Sequence, residues 1–170
     1  MKKIFSAIAA IAAFALLFAT ELRADELANC YDYLLAEDYD SANAACTAAA
    51  EQGDEHAQLE LGWMYASGRG VAQDDAEAVR WFRAAAEQGD ELAQYNLGLM
   101  YVYGRGVAQD YAEAVRWYRA AAEQGFERGQ LELGWMYQQG RGVAQDYSEA
   151  VRWYRAAAEQ GDESAQYNLG

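Results

Sequence analysis

The chain of 170 residues has no proline, one histidine, two cysteines and no lysine after Lys3. Its 13 basic residues face 27 acidic ones, a formal net charge of −14. Such a charge repels phosphate backbones and anionic lipid headgroups, and no basic stripe interrupts it, so neither nucleic acid nor a membrane surface is expected as a partner. Without lysine a serine–lysine dyad is excluded. Two cysteines alone make a poor metal site, and no metal or cofactor is expected.

The basic residues that do exist are unevenly placed. Lys2 and Lys3 precede the apolar run Ile4 to Phe18, and Leu22-Arg23-Ala24 offers a small residue before a cleavage point, so residues 1–24 read as a secretory signal. The run is short for a membrane span. Loss of Lys2, Lys3, Arg23 and Glu21 leaves 10 basic and 26 acidic residues, with no membrane insertion expected after signal removal. The product is then periplasmic or secreted, where Cys30 and Cys46 are expected to close a disulfide. Its loop of about 15 residues is worth on the order of 3 kcal/mol in the chain-entropy account.

A shift of 36 residues lays 54–89 on 90–125 and on 126–161, the first two copies agreeing at 28 of 36 positions. Residues 25–53 hold a divergent copy with a shorter central loop, and 162–170 begin a further one. A period of this size predicts a solenoid. Each copy holds two apolar patterns at helical spacing. In the first, helix A carries Ala57, Leu61 and Tyr65, and helix B carries Ala78, Trp81, Phe82 and Ala85. QLELGWMY at Gln58 and Gln130, and QYNLG at Gln94 and Gln166, reveal a second period of 72 over the first. Because AQYNLG stops at Gly170 inside what the other copies make a whole helix A, the chain is expected to be a fragment of a longer array.

The heptapeptide GRGVAQD stands at Gly68, Gly104 and Gly140. A phosphate cradle would need a preceding strand and a following lysine, and the helix it enters opens with carboxylates that repel anions. A joint fits better. Gly68 ends helix A, Gly70 permits a reversal, Val71 tucks under the turn, and Asp74 with Glu77 opens helix B in the manner of a capping box. Arg69, Arg105 and Arg141 are left to solvent or to a neighbouring repeat's carboxylate. Glu77 with Arg80 and Arg83 with Glu87 suit pairing along helix B.

The spaced set Ala57, Leu61-Gly62, Tyr65, Gly68, Gly70-Val71, Asp74, Ala78, Trp81, Ala85 and Gly89 resembles the Sel-one-like repeat, a branch of the tetratricopeptide-like helical repeats. The second copy matches throughout, and the third has Gly129 for the alanine. The resemblance implies an all-α, right-handed superhelical solenoid of antiparallel helix pairs that serves as an interaction scaffold. It brings no catalytic residue. Some secreted, disulfide-rich relatives bind or slowly hydrolyse β-lactams, which gives the alternative reading of a β-lactam or cell-wall-compound binder or hydrolase. Those relatives carry a cysteine pair in most repeats, whereas this chain has one pair in total.

Among aromatic residues, Trp81, Trp117 and Trp153 share one position on helix B beside alanines and are expected in the core. Trp63 and Trp135 differ, because they fall where the copies vary. The variable helix A positions are His56/Leu92/Arg128, Leu59/Tyr95/Leu131, Glu60/Asn96/Glu132, Trp63/Leu99/Trp135, Ala66/Val102/Gln138 and Ser67/Tyr103/Gln139. At about 100° per residue they form one arc. In solenoids of the resembled type helix A lines the concave side, so the arc is expected to bind another protein or peptide, basic in character. His56 then reads as a surface variant, and no catalytic residue is assigned.

Overall fold

The computed structural model describes residues 29–170, so the expected signal segment lies outside the described residues. The described part of α1 covers 29–35. It is followed by α2 (Tyr39–Glu51), α3 (Glu55–Ser67), α4 (Asp75–Gln88), α5 (Glu91–Tyr103), α6 (Tyr111–Glu123), α7 (Glu127–Gln139), α8 (Tyr147–Gln160) and α9 (Glu163–Leu169). Consecutive helices pack on one another in antiparallel pairs, forming a right-handed superhelical solenoid. No helix among the described residues is long and apolar enough to cross a membrane.

Local signals set the helix ends. The side chains of Asp74, Asp110 and Asp146 each accept two backbone N–H bonds from the first turn of α4, α6 and α8. The expected capping box is half made, because Glu77 turns outward to Arg80 (2.9 Å) instead of back to the cap. Gly68, Gly104 and Gly140 close α3, α5 and α7 in the left-handed region, where a side chain is strained.

The second glycine of each GRG has a different task. Gly70, Gly106 and Gly142 also have positive φ, and a Cβ at each would overlap the carbonyl of Tyr39, Asp75 or Tyr111 respectively. Each loop therefore presses its backbone onto the start of the second, or outer, helix of the preceding pair (α2, α4 or α6), the first helix of each pair (α3, α5 or α7) being the inner one. The joint links neighbouring pairs as well as the helices of one pair.

Between the helices the core is repetitive. Phe82, Tyr118 and Tyr154 are fully buried, each ring lying against Gly62, Gly98 or Gly134 of the inner helix, where a Cβ would overlap it. Trp81, Trp117 and Trp153 are buried as expected, and the Arg80, Arg116 and Arg152 guanidiniums cover their faces at 4.0, 4.4 and 4.6 Å. A glutamine ladder ties the pairs together. Gln94 Nε2 donates to the Ala86 carbonyl (3.1 Å) while its Oε1 accepts from Gln124 (2.9 Å), and Gln58 with Gln88 and Gln130 with Gln160 repeat the pattern. Arg83 does not pair with Glu87 but donates to the Tyr101 hydroxyl of the next pair (2.8 Å), as Arg119 does to Tyr137. At the N-terminal end the Cys30–Cys46 disulfide joins α1 to α2, with both residues fully buried.

Candidate interaction groove

Helices α3, α5 and α7 carry the variable arc, and clefts open between successive inner helices. One cleft, about 400 Å³, collects Leu99, Val102 and Tyr103 from α5, Leu131, Glu132 and Trp135 from α7, and Ser164 and Asn168 from α9. Gln109, Tyr111, Tyr118 and Arg141 complete its wall. A second cleft of about 370 Å³ gathers Glu60, Trp63 and Ser67 of α3 with Leu34, Tyr39 and Arg69. Leu92 and Arg128 belong to a third hollow at the N-terminal ends of α5 and α7. Trp63 is 42% and Tyr103 69% exposed, and Gln139 is exposed on the same face.

Two arc positions are corrected. Leu59 is only 8% exposed and belongs to the core cluster containing Phe82, Ala86 and Leu97, because the next pair closes over that edge of α3. Asn96 is 5% exposed, its amide donating back to the Leu92 carbonyl (2.7 Å). Neither is free to meet a partner. Tyr95 is half-buried, with its ring against Tyr118 and Phe126 (centroids 5.8 and 5.5 Å). His56 is exposed and lies 3.8 Å from Asp90 and 3.9 Å from Glu55, a loose surface arrangement.

The first and second clefts repeat one chemistry at the 72-residue period. Each holds a carboxylate, a tryptophan, and an arginine stacked on the first tyrosine of an outer helix. Arg69 lies over Tyr39 (5.6 Å), and Arg141 lies over Tyr111 (5.4 Å) and Trp135 (4.8 Å). Between them, Arg105 meets Asp75 where the others meet tyrosine, in an ion pair made through both its Nε and Nη2 atoms. This hydrogen bond holds the Asp75 carboxyl below its ordinary value. Burial pushes the Glu60 and Glu132 carboxyls up, opposed at Glu60 by His56 and reinforced at Glu132 by Asp162.

Tyr111, Tyr118, Arg141, Ser164 and Asn168 were not in the sequence arc. Tyr111 and Tyr118 come from α6 and Arg141 from a GRG loop, which a helix A comparison cannot see, whereas Ser164 and Asn168 lie in α9 at the equivalents of Arg128 and Glu132. The change from Asp75 to Tyr111 at equivalent positions was a readable signal.

The Sel1 repeat description matches residues 55–90, 92–126 and 128–162, most of the described chain. The chain belongs to the Sel1 repeat family. Sel1 repeat proteins are helical-repeat scaffolds that usually mediate protein interactions and are generally non-enzymatic. Two solved structures are similar in sequence as well as fold. One is a protective antigen of uropathogenic Escherichia coli strains displaying an SLR fold, 43% identical with a TM-score of 0.83, the match covering 86% of this chain and 32% of that one. The other is a Sel1 repeat protein from Oxalobacter formigenes, 37% identical with a TM-score of 0.78, covering 82% and 58%. Helicobacter pylori cysteine rich protein B, at 24% identity and a TM-score of 0.63, shares the fold over 78% of this chain and 95% of its own. The chain thus spans about a third of the first relative's length and under two thirds of the second's. No curated protein matches the Sel1 array.

Proposed function

We propose that this chain is an exported Sel1-repeat scaffold that holds an extended segment or a helix of another protein along the groove formed by α3, α5 and α7. The observation that carries the reading is the aromatic and aliphatic surface of Trp63, Leu99, Tyr103, Leu131 and Trp135, which opens into the clefts between inner helices. Apolar surface of this kind on a soluble scaffold marks a partner site, with tryptophan and tyrosine as anchors. The acidic charge favours a basic partner. Glu60, Arg128 and Glu132 act as polar selectors beside the anchors. Export to the periplasm or the exterior is supported by the signal-like residues 1–24 and by the Cys30–Cys46 disulfide.

The test is photo-crosslinking in envelope extracts, with the reactive group placed at Gln139 beside the groove. A discrete adduct that disappears when Trp63, Tyr103 and Trp135 are replaced by alanine is expected. An adduct that survives the triple replacement sinks the groove assignment.

A further inference from the structure

Two buried or half-buried polar groups of the cleft between α5 and α7 have no partner among the described residues. The first is the Tyr118 hydroxyl. Tyr118 lines the cleft at 1% exposure, and this hydroxyl has no hydrogen-bond partner among the described residues. Its equivalents escape that position. Residue 82 is phenylalanine, with no hydroxyl to satisfy, and Tyr154 donates to Gln138 Oε1 at 2.9 Å. Gln138 corresponds to Val102, so the side chain that would serve Tyr118 has been replaced by an apolar wall of the cleft.

The second group is the Glu132 carboxylate. It is half-buried and makes no hydrogen bond or ion pair among the described residues. Asp162 adds negative charge nearby. Arg141, the one cation among the described residues of the cleft wall, lies instead over the rings of Trp135 and Tyr111. A carboxylate and a buried hydroxyl therefore share a cleft with the rings of Trp135 and Tyr103 and the aliphatic walls of Leu99 and Leu131.

The geometry points to a seat for one cationic side chain, lysine or arginine, of the segment that lies in the groove. This rests on the groove reading above and names what its central cleft selects. An ammonium or guanidinium donates to the Glu132 carboxylate and the Tyr118 hydroxyl oxygen, while its methylene stem lies along Leu99, Leu131 and Trp135. An anionic side chain meets Glu132 and Asp162 with like charge. A purely apolar one leaves both polar groups dry and unpaired.

The probe is a phage-displayed library of random linear peptides selected on the intact chain, with the best binders synthesised and titrated. The expected peptides share a lysine or arginine, and replacing that residue by norleucine weakens binding at least about tenfold. Glu132→Gln weakens the parent peptide by a similar factor and removes most of the norleucine penalty. Tyr118→Phe, which installs the residue already present at position 82, weakens it roughly threefold to tenfold. Thermal melts of both variants confirm that the loss lies in binding rather than folding. Peptides that need Trp135 and Tyr103 but carry no basic residue overturn this inference and leave the groove standing, as does a norleucine penalty unchanged in Glu132→Gln. If no selected peptide depends on Trp135 or Tyr103, the groove reading fails and this inference fails with it.

Discussion

Replacing Tyr118 and Tyr154 by phenylalanine, one at a time, is expected to move stability in opposite directions. Both residues are 1% exposed and both rings lie against an inner-helix glycine, so the substitution changes the hydroxyl and little else. At Tyr118 the hydroxyl has no partner among the described residues. A buried polar group left unsatisfied costs about 1–3 kcal/mol, so its removal is expected to stabilise by about 1 kcal/mol once the small void left behind is allowed for. At Tyr154 the hydroxyl donates to Gln138 at 2.9 Å. Its loss is expected to cost about 1 kcal/mol, because the Gln138 oxygen is then left half-buried without its donor. The two variants should therefore differ by about 2 kcal/mol, or about 4–8 °C in Tm for a chain of this length. Circular-dichroism melts and urea titrations at neutral pH measure this directly. Val102→Gln, which supplies the missing partner, should stabilise the wild-type chain and abolish the benefit of Tyr118→Phe. Equal losses in both tyrosine variants would refute the reasoning, since they would mean that the Tyr118 hydroxyl is already satisfied.

Further outcomes are expected from the same packing. Trp117→Ala should cost about 3–5 kcal/mol as a buried large-to-small change, while Trp63→Ala should cost clearly less, its ring being 42% exposed, and should instead weaken partner binding; paired melts and titrations separate the two. Gln94→Ala removes the side-chain bond at the Ala86 carbonyl, which keeps the Gly89 N–H, and one of two bonds of the Gln124 amide, which keeps the Gly89 carbonyl, so it should destabilise by on the order of 1 kcal/mol, measured by urea unfolding. The buried Glu132 carboxyl is raised in the folded chain, so its protonated form favours folding at low pH and that contribution is lost as pH rises through the folded value. Glu132→Gln should accordingly raise Tm at neutral pH, with the difference from wild type closing as pH falls toward the ordinary glutamate range. Asp75 has the opposite sign: its Arg105 bond lowers the carboxyl, and Asp75→Asn should lose most stability at neutral pH and least in acid. Reduction of Cys30–Cys46 should cost about 3 kcal/mol, seen as faster hydrogen exchange confined to α1 and α2.

Much of the architecture was legible before any coordinates. A 36-residue period, aspartates before each helix, glycines after them and tryptophans beside alanines are local or periodic signals, and they specify helix ends and buried faces because capping and amphipathicity act within a few residues of the chain. With two cysteines there was a single intrachain pairing to consider. What the repeated sequence could not reveal is how far each pair rotates onto the next, and every feature set by that rotation needed the tertiary structure. It decided that Leu59 and Asn96 are covered while Trp63 and Tyr103 stay open, since a variable helix position is buried or exposed according to the neighbour that reaches it. It decided that Gly70 is needed for contact with the Tyr39 backbone as well as for the turn. The identical arginines of the three GRG loops acquired different partners, Asp75 for Arg105 and tyrosine rings for Arg69 and Arg141, because the residue they meet lies in the preceding pair, 30 positions away in the case of Arg105. Likewise Tyr118 and Tyr154 read alike along the chain, and only the side chain facing each hydroxyl, Val102 or Gln138, leaves one unpaired and satisfies the other.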